Sequence, residues 1–284
     1  MLALPWAWLG LFLLAPAAIV LKISLAVPAD GVPPYSALLH WGAGVLPDVA
    51  INLDSYALIL GDPLYLHALL LSLKVAGLAT LVCLLAGYPM ALAIARAPER
   101  YRNMLLLAAM LPFWTGFLMR INAWIGLLQD DGWINAALGA VGVGPLRLLY
   151  TDTALYIGIV YTYLPFMVLP LYARLTQLDP VLLEAAGDLG ARPFVAFLRV
   201  TLPLSLPGVW AGLLLVFIPA VGEYVIPELL GGPQAQLVGR VLWEEFFANR
   251  DWPTASALAV MLLGLLLILP GGLWQVVRRA RPGS

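Results

Sequence analysis

The sequence predicts an all-α integral membrane protein that crosses the bilayer six times, and three observations carry that prediction. The chain of 284 residues is 62% hydrophobic and 11% charged, with a mean hydropathy of +0.93. A soluble domain of that composition would expose more apolar surface than water tolerates. Six apolar stretches reach the roughly 20 residues of helix that a bilayer core requires. Arginines are divided unequally between the connections. The net charge of −1 offers no attraction to a polyanion, which sets nucleic acid aside as a partner.

The first span covers about residues 6–27. It lacks the basic start of a secretion signal and is long for one, so it reads as a retained helix. Residues 28–66 are broken by Pro28, Gly31, Pro33, Pro34, Gly42, Gly44, Pro47, Gly61 and Pro63, with Tyr35, Trp41, Leu53 and Tyr56 available for burial. A partly ordered outer loop with short helices is expected there. Spans two and three cover about 67–95 and 103–124, the latter containing Pro112. The loop 125–152 holds Asp130-Asp131-Gly132-Trp133, a turn that leads into a short amphipathic run. Span four covers about 153–172 with Pro165 and Pro170, and span five about 204–225 with Pro219. Prolines persist in spanning helices where neighbours satisfy the freed carbonyls, so kinks are expected at these points. The loop 231–253 carries apolar residues at 237, 238, 241, 242, 246 and 247, near helical period. Span six covers about 254–277. The chain thus reads as a first helix with its outer loop (1–66), a five-helix transmembrane body (67–277) and a basic tail (278–284). Cys83 has no partner for a disulfide within the chain, and His40 and His67 are too few for a metal site.

One set of connections holds Arg96, Arg100, Arg102, Arg174, Arg192, Arg199, Arg278, Arg279 and Arg281. The opposite set holds Arg120, Arg147, Arg240 and Arg250. The positive-inside rule places the richer set in the cytoplasm, and six crossings then put both termini there.

Between spans four and five the chain turns polar yet keeps a helical pattern. Asp179-Pro180 is a helix start, because Asp caps free amides and Pro fits the first helical position. Ala186 and Gly190 stand four apart with Gly187 alongside, which gives a small-residue face, and Glu184 with Asp188 forms an acidic edge. Gly190 permits a turn, Pro193 opens a second short helix, and Leu202-Pro203 ends it. Helices that lie on lipid carry basic polar faces, so this acidic one reads as a contact for another protein.

The stretch Glu184-Ala185-Ala186, then Gly190, then Val200-Thr201-Leu202-Pro203 resembles the EAA signature of ABC importer permeases, with valine where isoleucine is commoner. The resemblance implies a type I importer permease fold in the bacterial cytoplasmic (inner) membrane. It also implies that about 179–203 is the coupling helix, seated in a groove of a separate ATP-hydrolysing subunit. Arg120-Ile-Asn-Ala-Trp124, Asp131-Gly-Trp-Ile-Asn135, the run from Val216 to Gly232, and Arg250-Asp-Trp-Pro253 are similar to permeases of polyamine importers, in the first of their two permease subunits. Related permeases for opines, amino-phosphonates and other small amino compounds look alike. The implied partners are a second homologous permease, two ATP-binding subunits that hold ATP and Mg, an extracytoplasmic binding protein and the lipid bilayer.

For a cationic substrate, Glu223 at the outer end of span five is a path candidate, with Tyr224 beside it and Glu228 one turn on. Its alternative is a structural ion pair with Arg120 or Lys74. Trp124 and Tyr88 are either path-lining residues or interfacial anchors. Lys22 and Lys74 would repel a cation and are expected to snorkel outward or pair with acids. The chain has no Gly-x-x-x-x-Gly-Lys-Ser/Thr loop and no supported nucleophile–base pair, so neither ATP hydrolysis nor another catalysis is expected on it. A stand-alone ion-coupled carrier is the rival in a different class. Such carriers show inverted repeats and interrupted midplane helices, neither of which is evident here.

Overall fold

Backbone amides in an apolar surround need internal partners, and nearly all of this chain meets that need with helix. The computed structural model describes the backbone of residues 3–40, 48–49 and 51–279, and side chains over 4–38 and 51–268. Trp41, Gly42, Gly44, Pro47 and Arg281 lie outside the described residues, as do the side chains of His40, Arg278 and Arg279.

α1 (Ala3–Leu9) and α2 (Ala15–Ser24) are joined by one wide π-turn, Gly10–Leu14. In the segment that follows, Pro28 bridges Tyr35, and β1 (Leu39–His40) pairs antiparallel with β2 (Asp48–Val49). α3 (Asp54–Gly61) follows. Asp62 accepts the Leu64 amide at 2.8 Å and starts the 34-residue α4 (Pro63–Arg96). α5 (Glu99–Trp114) and α6 (Phe117–Leu128) come next, then α7 (Trp133–Ala140), whose buried Asn135 bonds Gln129 and Leu146 and so pins the preceding turn to the following loop. α8 (Asp152–Leu175) is capped by Thr151. After it come α9 (Val181–Asp188), α10 (Pro193–Ala196) and α11 (Leu202–Val221), then α12 (Val238–Trp243) and α13 (Trp252–Arg279).

Among the described residues, four helical segments are long and apolar enough to cross a membrane: Leu4–Ser24, Pro63–Arg96, Asp152–Leu175 and Pro193–Val221. Residues 103–124, read from sequence as one crossing with a kink at Pro112, instead fall in two helices that meet at 88°. Pro112 breaks the ladder, the Thr115 hydroxyl satisfies the Pro112 carbonyl at 2.9 Å, and Thr115 and Gly116 are extended. The bent pair counts as a fifth crossing if its two arms are one span. α13 runs 28 residues, but its apolar stretch with described side chains, Trp252–Ile268, is shorter than a full crossing.

Leu202-Pro203 does not end a short helix. α10 continues into α11 through a π-turn, Phe197–Thr201, in which the Leu202 amide bonds the Phe197 carbonyl five residues back. Pro203 has no amide to give, and its ring would collide with the carbonyl four residues back; widening that turn removes the conflict. The same device precedes Pro16 in the first helix, where Gly10–Leu14 is the wide turn.

The chain forms two compact units. In the first, residues 1–71 with 238–284, α2, α3 and α12 pack on α13. Trp252 stacks on Phe246, with ring centroids 4.7 Å apart. The buried Glu245 accepts from the Tyr65 hydroxyl at 2.8 Å and from Asn249 at 3.0 Å, and among the described residues no cation pairs with its carboxylate. In the second unit, residues 72–237, the main packing is α8 on α11. Gly208 and Gly212 allow that approach. A Cβ on Gly208 would stand 2.8 Å from the Pro170 carbonyl oxygen, and one on Gly212 would stand 2.6 Å from the Met167 sulfur. Gly208→Ala is therefore expected to cost about 1–3 kcal/mol of stability, the cost of overpacking against backbone that cannot yield. Gly77→Ala in α4, with open space around the added carbon, should be neutral. Thermal midpoints of the two variants in detergent check the contrast.

Candidate coupling and translocation site

α9 has a complete cap at each end. At its start the Asp179 carboxylate accepts the Val181 amide at 3.0 Å, and Pro180 occupies the position whose amide would be unpaired. At its end Gly190 has φ +77, with its amide on the Gly187 carbonyl at 2.8 Å and the Ala191 amide on the Ala186 carbonyl at 3.0 Å. These are the two bonds of a Schellman stop. Gly190 thus lies past the helix, and its small size serves the turn instead of extending the Ala186 face. Glu184 and Ala185 are exposed and Ala186 is half-buried. Val181, Leu182, Leu189 and Phe194 stand exposed around them, Leu189 at 88%. Exposed apolar side chains thus flank a short helix that is capped at both ends.

The root of this knob is tied to three long helices within the second unit. α9 packs on the π-turn Phe197–Thr201, which leads directly into Leu202, Pro203 and α11. Just beyond, the Tyr88 hydroxyl of α4 meets the Ser205 hydroxyl at 2.8 Å, and the Tyr88 ring lies edge-on to Phe197 at 5.5 Å. Arg174 at the end of α8 donates to the Leu204 carbonyl at 3.0 Å. Tyr88 is therefore a buried tie between helices, with its hydroxyl engaged.

Glu223 lies where the chain leaves α11, and only 8% of it is exposed. Its Oε1 accepts the amides of Val225 and Ile226 at 3.1 and 3.4 Å, and its Oε2 accepts the Tyr163 hydroxyl. The carboxylate caps the helical segment that continues into the π-turn Pro227–Gly231 and pins it to α8. The ion pair with Arg120 or Lys74 does not form: Lys74 is exposed, and Arg120 lies over Phe113 and Phe117 with its Nε and one terminal nitrogen unpaired among the described residues. Tyr163, the partner that matters, carried a weak sequence signal: a polar Tyr161-Thr-Tyr163 run inside an apolar span. Tyr224 is half-buried beside Glu223, Glu228 is exposed in the first turn of the next segment, and Trp124 packs edge-on to Tyr161 at 5.4 Å. The structure separates these candidates from the knob residues, which sit at the other end of α11.

A set of membrane-length apolar helices carrying one projecting helix has the design of a membrane transport subunit. The chain belongs to the family of binding-protein-dependent transport system inner membrane components, whose family model matches residues 1–280. It is an inner-membrane permease of that family. It is 40% identical over 269 residues to the spermidine/putrescine transport system permease protein PotB of Haemophilus influenzae, covering 94% of this chain and 89% of that one. It is 43% identical over 226 residues to PotB of Escherichia coli K12, covering 78% of this chain and 82% of that protein. Among solved structures, a bacterial ABC transporter involved in the import of the acidic polysaccharide alginate matches 98% of this chain and 94% of its own, with a TM-score of 0.76 at 18% identity. At that identity the likeness speaks to the fold.

Proposed function

We propose that this chain forms half of the translocation path for a polyamine, spermidine or putrescine, in an importer driven by ATP on another subunit. The observation that carries the reading is the knob, a doubly capped helix bearing Glu184, Ala185 and Ala186, with Gly190 in the turn that stops it and leads to the continuous helical segment Pro193–Val221. Its exposed apolar side chains fit a groove on an ATP-binding subunit. The names of the PotB relatives support the substrate.

In this reading six crossings place both termini in the cytoplasm, with the bent α5–α6 pair and the whole of α13 each counted once. A second permease completes the path by pseudo-twofold symmetry, two ATP-binding subunits hold ATP and Mg²⁺ below, and a binding protein docks outside. Nucleotide-driven closure pushes α9. Displacement passes through the π-turn to α11, and through Ser205–Tyr88 and Leu204–Arg174 to α4 and α8, so the three helices move as one. The Glu223 carboxylate faces a polyamine as a fixed negative charge near the outer end.

Proteoliposomes containing this chain, its second permease and its ATP-binding subunits should take up labelled spermidine when supplied with ATP and the loaded binding protein. Omission of the ATP-binding subunits should stop uptake. Transport by this chain alone would establish the carrier instead, and uptake of another amine in place of spermidine or putrescine would reassign the substrate while keeping the mechanism.

A further inference from the structure

A cavity of about 420 Å³ lies at the root of α9, within the second unit. Arg96, the exposed last residue of α4, and Arg102, near the start of α5, line it together with Thr201 of the π-turn. Leu92, Leu175 and Leu183 line it as well. Among the described residues neither arginine makes an ion pair. Arg102 donates from one terminal nitrogen to the carbonyls of Ala95 and Ala97, at 3.1 and 3.3 Å, which fixes the guanidinium, but its buried Nε has no acceptor. The hydroxyl of Thr201, a residue only 2% exposed, has no partner either. Asp179 is the one acid on the lining, and its Oδ1 is already engaged by the Val181 amide.

Buried donors without acceptors are costly, and a native chain keeps them where something else supplies the acceptor. Here the missing partner is an anion with several oxygens, because two guanidinium groups and a hydroxyl line the same cavity and all of them can donate. A phosphate matches arginine geometry and forms charge-assisted bonds. The cavity is larger than one phosphate and its lining also includes Leu92, Leu175 and Leu183, which suits an amphiphile with a charged head and a less polar glycerol end. Basic pockets between helices at the membrane face are where acidic headgroups collect. We propose that Arg96, Arg102 and Thr201 form a phosphate-binding site, occupied by the headgroup of an anionic phospholipid. Pro180 and Leu183 also line the cavity, so the bound headgroup braces the base of α9 against α4 and α5. The site rests on the membrane placement of the chain and not on the identity of its substrate.

The test uses the transporter purified with its partner subunits, delipidated in detergent, and titrated with phosphatidylglycerol, phosphatidylcholine or inorganic phosphate, with bound molecules counted by native mass spectrometry. The wild type should retain one phosphatidylglycerol with an affinity on the order of tenfold above that for phosphatidylcholine. Arg96→Gln and Thr201→Val should each weaken it by several fold, with unchanged thermal midpoints. Neither residue holds a structural bond within the chain, unlike Arg102. Arginine-dependent binding of inorganic phosphate with no preference for the lipid would assign the same site to a soluble phosphate. Equal binding of every probe by wild type and variants would overturn the proposal. So would a cysteine at position 96 that crosslinks to an ATP-binding subunit whether or not lipid is present, since the cavity would then belong to that partner. Spermidine uptake is measured on the same variants. Loss of lipid binding that leaves uptake intact separates this site from the permease function, and normal uptake with no binding in the wild type overturns the site alone.

Discussion

Exchange of Gly190 for valine is expected to reduce ATP-driven uptake by at least roughly tenfold while leaving membrane insertion intact. The argument is confined to one torsion angle. Gly190 sits at φ +77, and the carbon that a side chain would add meets nothing within 4 Å, so crowding has no part in the effect. The left-handed conformation costs an ordinary L-residue about 1–2 kcal/mol, and a β-branched one more, while asparagine tolerates it. Each 1.4 kcal/mol is about a factor of ten in a population. Valine would thus shift the chain out of the turn that stops α9, with loss of the amide bonds from Gly190 to Gly187 and from Ala191 to Ala186. Leu189 and Phe194 would no longer be presented together. Asparagine at 190 should keep most uptake, and alanine should fall between. The reading is uptake per ATP hydrolysed in proteoliposomes, with insertion followed by protease protection. If the valine variant imports like the wild type, the knob is not the element that is pushed.

What could be read from sequence was whatever depends on local chemistry. Apolar length located Leu4–Ser24, Pro63–Arg96 and Asp152–Leu175 to within about four residues at each end, since burial in lipid needs only a run of apolar side chains, but it started the segment Pro193–Val221 only at about residue 204. The Asp179-Pro180 start and the Gly190 stop were readable because each rests on one side chain's geometry. The failures came from backbone irregularity and from partners distant in the chain. Pro112 announced a kink, but a break of 88° needed Thr115 and Gly116 to extend, and no periodicity records that. Leu202-Pro203 reads as a terminus by the usual rule for proline; the π-turn that carries the helix past it leaves no mark on apolar spacing. Glu223 invited a cation because a buried carboxylate usually has one. Its partners are a hydroxyl 60 residues away and two amides that exist as donors only once the chain has turned. The contact grouping of residues 1–71 with 238–284 is likewise a property of packing, invisible to a reading that goes along the chain.

The two roles open to Glu223 separate when glutamine and leucine are compared at that position. Glutamine can keep the geometry: its oxygen accepts the Val225 and Ile226 amides, and its amide nitrogen donates to the Tyr163 oxygen, which then accepts. Only the charge is lost. Leucine removes every bond and leaves two amides and a hydroxyl without partners, at about 1–3 kcal/mol for each group that stays buried and unsatisfied. Glu223→Leu should therefore lower the thermal midpoint and the yield of assembled transporter, and Glu223→Gln should do neither. Transport should respond differently. A fixed carboxylate about 10 Å from a passing ammonium contributes about 1–2 kcal/mol per substrate charge at an effective dielectric near 20. Glu223→Gln should then raise the half-saturating concentration for spermidine on the order of tenfold or more, and raise it less for putrescine, which carries one charge fewer. The scaling with substrate charge is the signature, because a purely structural role would weaken both amines equally. Unaltered kinetics in the glutamine variant, alongside failed assembly in the leucine variant, would reduce Glu223 to a cap that holds Pro227–Gly231 against α8.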